Sequence, residues 1–197
     1  SLQENAHWLP GPENIFNAFS YPLDNTQYIL FGESPYPRQA SANGFAFWDA
    51  AVHELWSPSG LSKSVNRATS LRNFIKMLFV AEGKLNQDNS QIAITAIDKK
   101  KYIQTIDQLF KGLLKRGFLL LNASLVLSEE PVKQDAKAWL PFIKSILNQL
   151  EKIKPDIQLL LFGNIAKSIN TIAPPCFNRI VAEHPYNISF IHNPIIL

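Results

Sequence analysis

Hydrophobic and polar positions along this chain follow two rhythms. Four short apolar runs are Tyr28-Ile29-Leu30-Phe31, Phe118-Leu119-Leu120-Leu121, Leu159-Leu160-Leu161-Phe162 and Arg179-Ile180-Val181-Ala182. They close on Gly32, Asn122, Gly163 and Glu183-His184. Runs of this length read as parallel strands buried on both faces. Between them the period changes. Val65, Ala68, Leu71, Phe74, Leu78 and Ala81 recur every three or four residues. The same spacing holds for Tyr102, Ile103, Ile106, Leu109, Phe110 and Leu113, and again for Ala136, Trp139, Leu140, Ile143, Ile146, Leu147 and Leu150. It predicts helices over 65–82, 102–113 and 136–150. Gly83 is placed to end the first, and the polar stretch 83–90 reads as a surface connector. Strands alternating with helices predict an α/β fold: a three-layer α/β/α sandwich with a central four-stranded parallel sheet. Ligands of such open sheets bind at the carboxyl ends of the strands. Gly32, Asn122, Gly163 and His184 are therefore expected along one edge.

The 197 residues suit a single domain, with 1–27 as an N-terminal extension and 28–190 as the core. In the extension, Pro10, Pro12 and Pro22 surround a short helical piece with Ile15, Phe16 and Phe19 on one side. Apolar content of 46% and charged content of 18% exclude a disordered chain. The net charge of +3 permits a polyanionic partner without demanding one. Cys176 is the sole cysteine, so no intrachain disulfide forms and a reducing compartment is expected. No run is long enough to span a membrane, and no basic patch with a following apolar run marks a secretory leader. The expected location is cytoplasmic, or nuclear in a eukaryote. Scattered histidines and one cysteine give no metal-ligand spacing, so neither a metal nor another cofactor is expected. His53 and His192 read as structural, and Lys99-Lys100-Lys101 as a solvated helix start.

The sharpest chemical signal follows the first run: Gly32-Glu33-Ser34-Pro35-Tyr36-Pro37, then Asn43-Gly44-Phe45-Ala46-Phe47. With Leu119-Leu120-Leu121-Asn122, Leu161-Phe162-Gly163-Asn164 and His184-Pro185-Tyr186-Asn187-Ile188-Ser189, it resembles the uracil-DNA glycosylases. Their corresponding motifs are Gly-Gln-Asp-Pro-Tyr-His, a Gly-Leu-x-Phe segment, Leu-Leu-Leu-Asn, an apolar strand ending in Gly-Ser, and His-Pro-Ser-Pro-Leu-Ser. Ser70-Leu71-Arg72-Asn73 is similar to the segment after the family's Pro-rich loop. The resemblance runs in order from about residue 28 to 190, and the interval from Ser34 to Gly44 keeps the family's length.

That resemblance implies a pocket for a base flipped out of DNA containing uracil or a damaged base. In it Phe47 stacks on the base, worth about 1–3 kcal/mol. Asn122 presents the acceptor and donor that match uracil O4 and N3–H. Tyr36 sits against C5 and rejects the thymine methyl, while Gly32 and Glu33 complete the base-binding loop. His184 donates to O2, where charge collects as the glycosidic bond breaks. Ile188 takes the position of the apolar wedge that unstacks the duplex. Ser70, Gly163, Asn164 and Ser189 are candidate DNA contacts, with Lys63, Arg67 and Lys167 nearby. A glycosylase of this size is expected to act as a monomer.

The departures concern the chemistry. Ser34 occupies the position of the family's catalytic Asp, Pro37 that of its first-motif His, and Tyr186 that of a Ser. A hydroxyl neither carries charge nor serves as a base near neutral pH. A branch of the superfamily with a Gly-Glu-Ala-Pro-Gly motif also lacks that carboxylate and still removes uracil. Glu33 adjoins Ser34, but neighbouring side chains on extended backbone point opposite ways. Three readings stand: a working glycosylase, an impaired homologue that binds DNA or protein, and a hydrolase built on Ser34 and His184. The third lacks both a Gly-x-Ser-x-Gly elbow and an acid to orient the histidine. Taken singly, Asn122 reads as a strand-end turn residue, Phe47 as a core aromatic and His184 as a loop histidine. Only their joint placement points to a site.

Overall fold

The computed structural model describes residues 7–197 of the chain. The strands are β1 (Tyr28–Gly32), β2 (Trp56–Ser57), β3 (Gly60–Leu61), β4 (Phe118–Asn122), β5 (Gln158–Phe162) and β6 (Asn178–Ala182). The helices are α1 (Lys63–Arg67), α2 (Thr69–Ala81), α3 (Gln91–Thr95), α4 (Ile106–Lys115), α5 (Val132–Ile153) and α6 (Ile165–Ile172). The four apolar runs form one parallel sheet in the order β4-β1-β5-β6. In its register Gly32 lies beside Asn122, and Phe162 beside Ala182. Parallel pairing brings all four carboxyl ends to one edge.

Alternation along each strand feeds two apolar layers. Leu30 and Leu120 pack with Leu71, Ile75, Leu109 and Phe110 of α2 and α4. Ile29, Phe31, Leu121 and Leu159 pack with Ile143 and Leu147 of α5 and Ile169 of α6. The result is the expected three-layer α/β/α arrangement. β6 departs from the expectation of burial on both faces. It is an edge strand paired only with β5, and Val181 is 41% exposed.

The helical pattern over 65–82 is interrupted. α1 and α2 meet at Ala68, whose ψ of 81° is not helical. Ser62 caps α1 by accepting the Val65 amide at 3.2 Å, and the Arg72 guanidinium takes the Asn66 carbonyl at 3.0 Å. Both pieces bury the same side, so the periodicity survives the break. Instead of starting near 102, α4 starts at Ile106, where Thr105 and Gln108 form a capping box. Lys99–Lys101 form a separate 3-10 turn, capped by Asp98. Gly83 has the positive φ (67°) of a helix terminator, as expected.

The extension packs into the fold. Ile15 and Ala18 join the α5-side core, and Leu9 bridges to Leu127. Phe16, however, is 55% exposed and does not share the buried side of Ile15. Residues 1–6 of the extension lie outside the described residues. Among the described residues no helix is long and apolar enough to cross a membrane.

Candidate active site at the carboxyl edge of the sheet

A cavity of about 220 Å³ opens where β1 and β4 end. Gly32, Glu33, Ser34, Tyr36, Phe47, Ser70, Asn122 and His184 all line it, together with Pro35 and Pro37. Eight of the predicted site residues therefore share one pocket. Gly32 is needed for the close approach: a Cβ there would lie 2.4 Å from Asn122 Oδ1 and 2.9 Å from the Ala46 Cβ. Asn122 is 3% exposed, and its amide has no hydrogen-bond partner among the described residues. The amide is not sealed in the interior but opens on the pocket, where a ligand's polar edge can pair with it.

Phe47 and Tyr36 are fixed to each other, since the Tyr36 hydroxyl donates to the Phe47 carbonyl at 3.2 Å. Phe47 adopts φ +63°, the left-handed region that side chains disfavour. Its ring lies 6.2 Å from that of His184, inclined by 32°. Burial, and then the charge of Asp49, raise the Tyr36 pKa well above its ordinary value against the opposing Arg38, so the phenol stays protonated. Asp49 itself is buried, bonded to Arg38 at 3.2 Å and to the Ala51 amide at 3.0 Å.

His184 is oriented from behind. Its Nδ1 accepts the Tyr186 amide at 3.1 Å, which leaves the proton of the neutral ring on Nε2. Burial lowers its pKa from 6.5, opposed by the Glu33 charge. Gly163 (φ +75°) lies against it, where a Cβ would come within 2.8 Å of the His184 Cβ. The segment after His184 is anchored to α2 by Asn73. Its buried Nδ2 donates to the carbonyl of Pro185 at 2.8 Å, with those of Asn187 at 3.2 Å and Tyr186 at 3.3 Å also in reach. Asn73 was visible in the sequence only as part of a helix start. Asn73→Ala is expected to lower stability by about 1–3 kcal/mol, because the buried Pro185 carbonyl loses its donor. Urea denaturation checks this, and a change under about 0.5 kcal/mol would mean that water replaces the amide.

The other predicted residues surround the pocket. Ile188 is 66% exposed and Tyr186 67% exposed; Tyr186 lies in the loop after His184 and Ile188 opens the 3-10 turn that follows. Ser189 is exposed, its hydroxyl donating to Glu183, whose second oxygen accepts from Asn193 at 3.3 Å. Asn164 is exposed at the start of α6 and makes no capping bond. Ser34 has a half-buried hydroxyl with only a 3.4 Å contact to the Pro35 carbonyl. No group of three or more His, Cys, Asp or Glu among the described residues is placed to hold a metal ion.

Residues 19–193 match the model of the uracil DNA glycosylase superfamily. The uracil-DNA glycosylase of Aliivibrio salmonicida is 29% identical over 185 residues, covering 92% of this chain and 69% of that protein. That of Borreliella burgdorferi is 27% identical over 189 residues, covering 92% and 70%. Among solved structures, the wild-type UNG of Nitratifractor salsuginis superposes with a TM-score of 0.90 at 40% identity, covering 98% of this chain and 78% of that one. A uracil-DNA glycosylase from mimivirus shares the fold, with a TM-score of 0.62 at 17% identity, covering 93% and 58%.

Proposed function

This chain belongs to the uracil-DNA glycosylase superfamily, and on that basis we propose that it hydrolyses the N-glycosidic bond of uracil, or of a related damaged base, flipped out of DNA. The observation that carries this is the Asn122 amide, free of protein hydrogen-bond partners among the described residues and lining one pocket with Phe47 and His184. Asn122 reads the O4 and N3–H edge, Phe47 stacks, and Tyr36 leaves no room for a methyl at C5. As the N1–C1′ bond breaks, its electron pair goes to the base. The Nε2–H of His184 meets the charge that collects on O2. Water held near Ser34 by backbone groups then adds to C1′ and gives up a proton to bulk solvent. Glu33 supplies the one carboxylate among the described lining residues. Ile188 wedges into the base stack, and Ser70, Gly163, Asn164 and Ser189 lie along the path of the DNA backbone. The enzyme works as a monomer within the cytoplasm, or the nucleus of a eukaryote, in base excision repair.

The test is alkali-induced strand cleavage of a labelled oligonucleotide holding one uracil. Cleavage supports the proposal, and none at high enzyme on both single and double strands overturns it. Ser34 favours a second reading, an impaired homologue that retains the pocket to bind DNA or protein.

The acid limb of the pH profile tests His184. Its ring is held neutral below the ordinary pKa of 6.5. Protonation puts a hydrogen on Nδ1 against the Tyr186 amide, so it breaks the orienting bond. Activity is therefore expected to hold down through pH 6.5 and fall only below it. Glu33→Gln removes the charge that raises the His184 pKa, so the limb should move further toward acid. A limb that moves upward in this variant would refute the coupling.

A further inference from the structure

Asp49 is a buried carboxylate that the reaction does not use. Between β1 and β2 the chain runs from Glu33 to Leu55 without a helix or a strand, and this loop carries both Tyr36 and Phe47. Two rungs cross the loop. The Tyr36 hydroxyl donates to the Phe47 carbonyl at 3.2 Å. Two residues on from each of these, the Arg38 guanidinium donates to Asp49 Oδ2, also at 3.2 Å. Oδ1 of Asp49 accepts the Ala51 amide at 3.0 Å, and its carbonyl takes the Val52 amide at 3.1 Å. The Ala50 amide reaches back to the Ser41 carbonyl at 3.1 Å.

The two ends of the ion pair differ. The Asp49 side chain is 3% exposed, that of Arg38 69%. A carboxylate so far out of water destabilises the fold unless it is paired and hydrogen-bonded, so its partners fix where the loop can go. Its charge reaches the Tyr36 phenol, whose pKa it helps burial to raise. Phe47, two residues before it, holds a φ of +63°, a torsion that persists only where the surroundings over-determine it.

We propose that Asp49, paired with Arg38, is a positioning residue for base selection: the rung holds Tyr36 against Phe47, so that the pocket admits uracil and refuses a methyl at C5. The proposal rests on the glycosylase reading of that pocket. Asp49 does not line the pocket and acts through the two residues that do. With its rung cut, the Tyr36 hydroxyl is left as the one side-chain tie between the arms, and the slot between the two rings can widen.

Selectivity separates this role from plain stabilisation. The probes are two duplexes, one holding a single 2′-fluorinated deoxyuridine and the other its 5-methyl counterpart. Fluorine disfavours the cationic sugar, so the glycosidic bond holds and a wild type that excises nothing still gives an affinity ratio. One methyl in a closed pocket is worth about 10–200-fold, and wild type should favour the first duplex by a ratio in that range. Asp49→Asn keeps the shape and the acceptor for Ala51 but loses the ion pair, and should cut the ratio about tenfold. Arg38→Ala breaks the rung from its exposed end, so it carries the test if the buried variant fails to fold, and it should lower the ratio in the same direction. The contact joins one nitrogen to one oxygen, so Arg38→Lys can remake it and should retain the wild-type ratio. An unchanged ratio in the Asp49→Asn and Arg38→Ala variants, including equal weakening on both duplexes, leaves Asp49 a stabilising residue only and overturns the proposal. A wild type that does not distinguish the duplexes refutes the base pocket itself and the proposal with it.

Discussion

Uracil release by Asn122→Ala is expected to fall by about three orders of magnitude while the fold holds. One placed donor in a closed site is worth about 10²–10³ in rate, and a site built around a hydrogen-bonding edge discriminates by more. Asn122 supplies both the donor and the acceptor, and no described residue competes for either. For the same reason the truncation breaks no hydrogen bond within the described protein. Space opens beside Gly32, where the Oδ1 stands close enough to exclude a Cβ. Single-turnover excision, beside a melting curve, separates the two effects. A folded variant within about tenfold of wild type would show that the base is read elsewhere.

Ser34→Asp is expected to act in the opposite direction, raising single-turnover excision by about 100-fold or more. Ser34 lines the pocket with a hydroxyl that contacts only the Pro35 carbonyl, so a carboxylate there displaces no strong interaction. A negative charge facing an oxocarbenium-like sugar in a water-poor cavity is worth several kcal/mol, on the order of 3. An active wild type that gains further establishes an enzyme working without the aspartate. An inactive wild type that the substitution awakens identifies the impaired homologue. Inactivity of both variants on uracil sinks the glycosylase assignment for that base.

The sequence announced the sheet because its strands are nearly unbroken apolar runs, and the order of their terminal residues carried the pocket with them. Asn122, Phe47 and His184 were legible through motif spacing, each resting on a fixed interval from a strand end. What stayed hidden depends on contacts that leave no local pattern. The break at Ala68 comes from a single dihedral within a continuous apolar stripe. β6 reads like a central strand, and only the strand order makes it an edge. The tautomer of His184 is set by a backbone amide, which every residue possesses. Asn73 reaches carbonyls more than 110 residues away. The Ser189 hydroxyl donates to Glu183, six residues away, a partner that no local pattern announces.

Phe47 also bears on how this protein would respond to engineering for durability. Its φ of +63° costs on the order of 1 kcal/mol relative to a glycine at the same place. A library sorted for heat resistance alone would therefore drift toward glycine or asparagine here, and each step would improve the scaffold while emptying the pocket of its stacking face. Robustness and activity pull against each other at this one backbone torsion. Any thermostable derivative meant to keep working must find its gains elsewhere, in the surface turns and the exposed edge of β6.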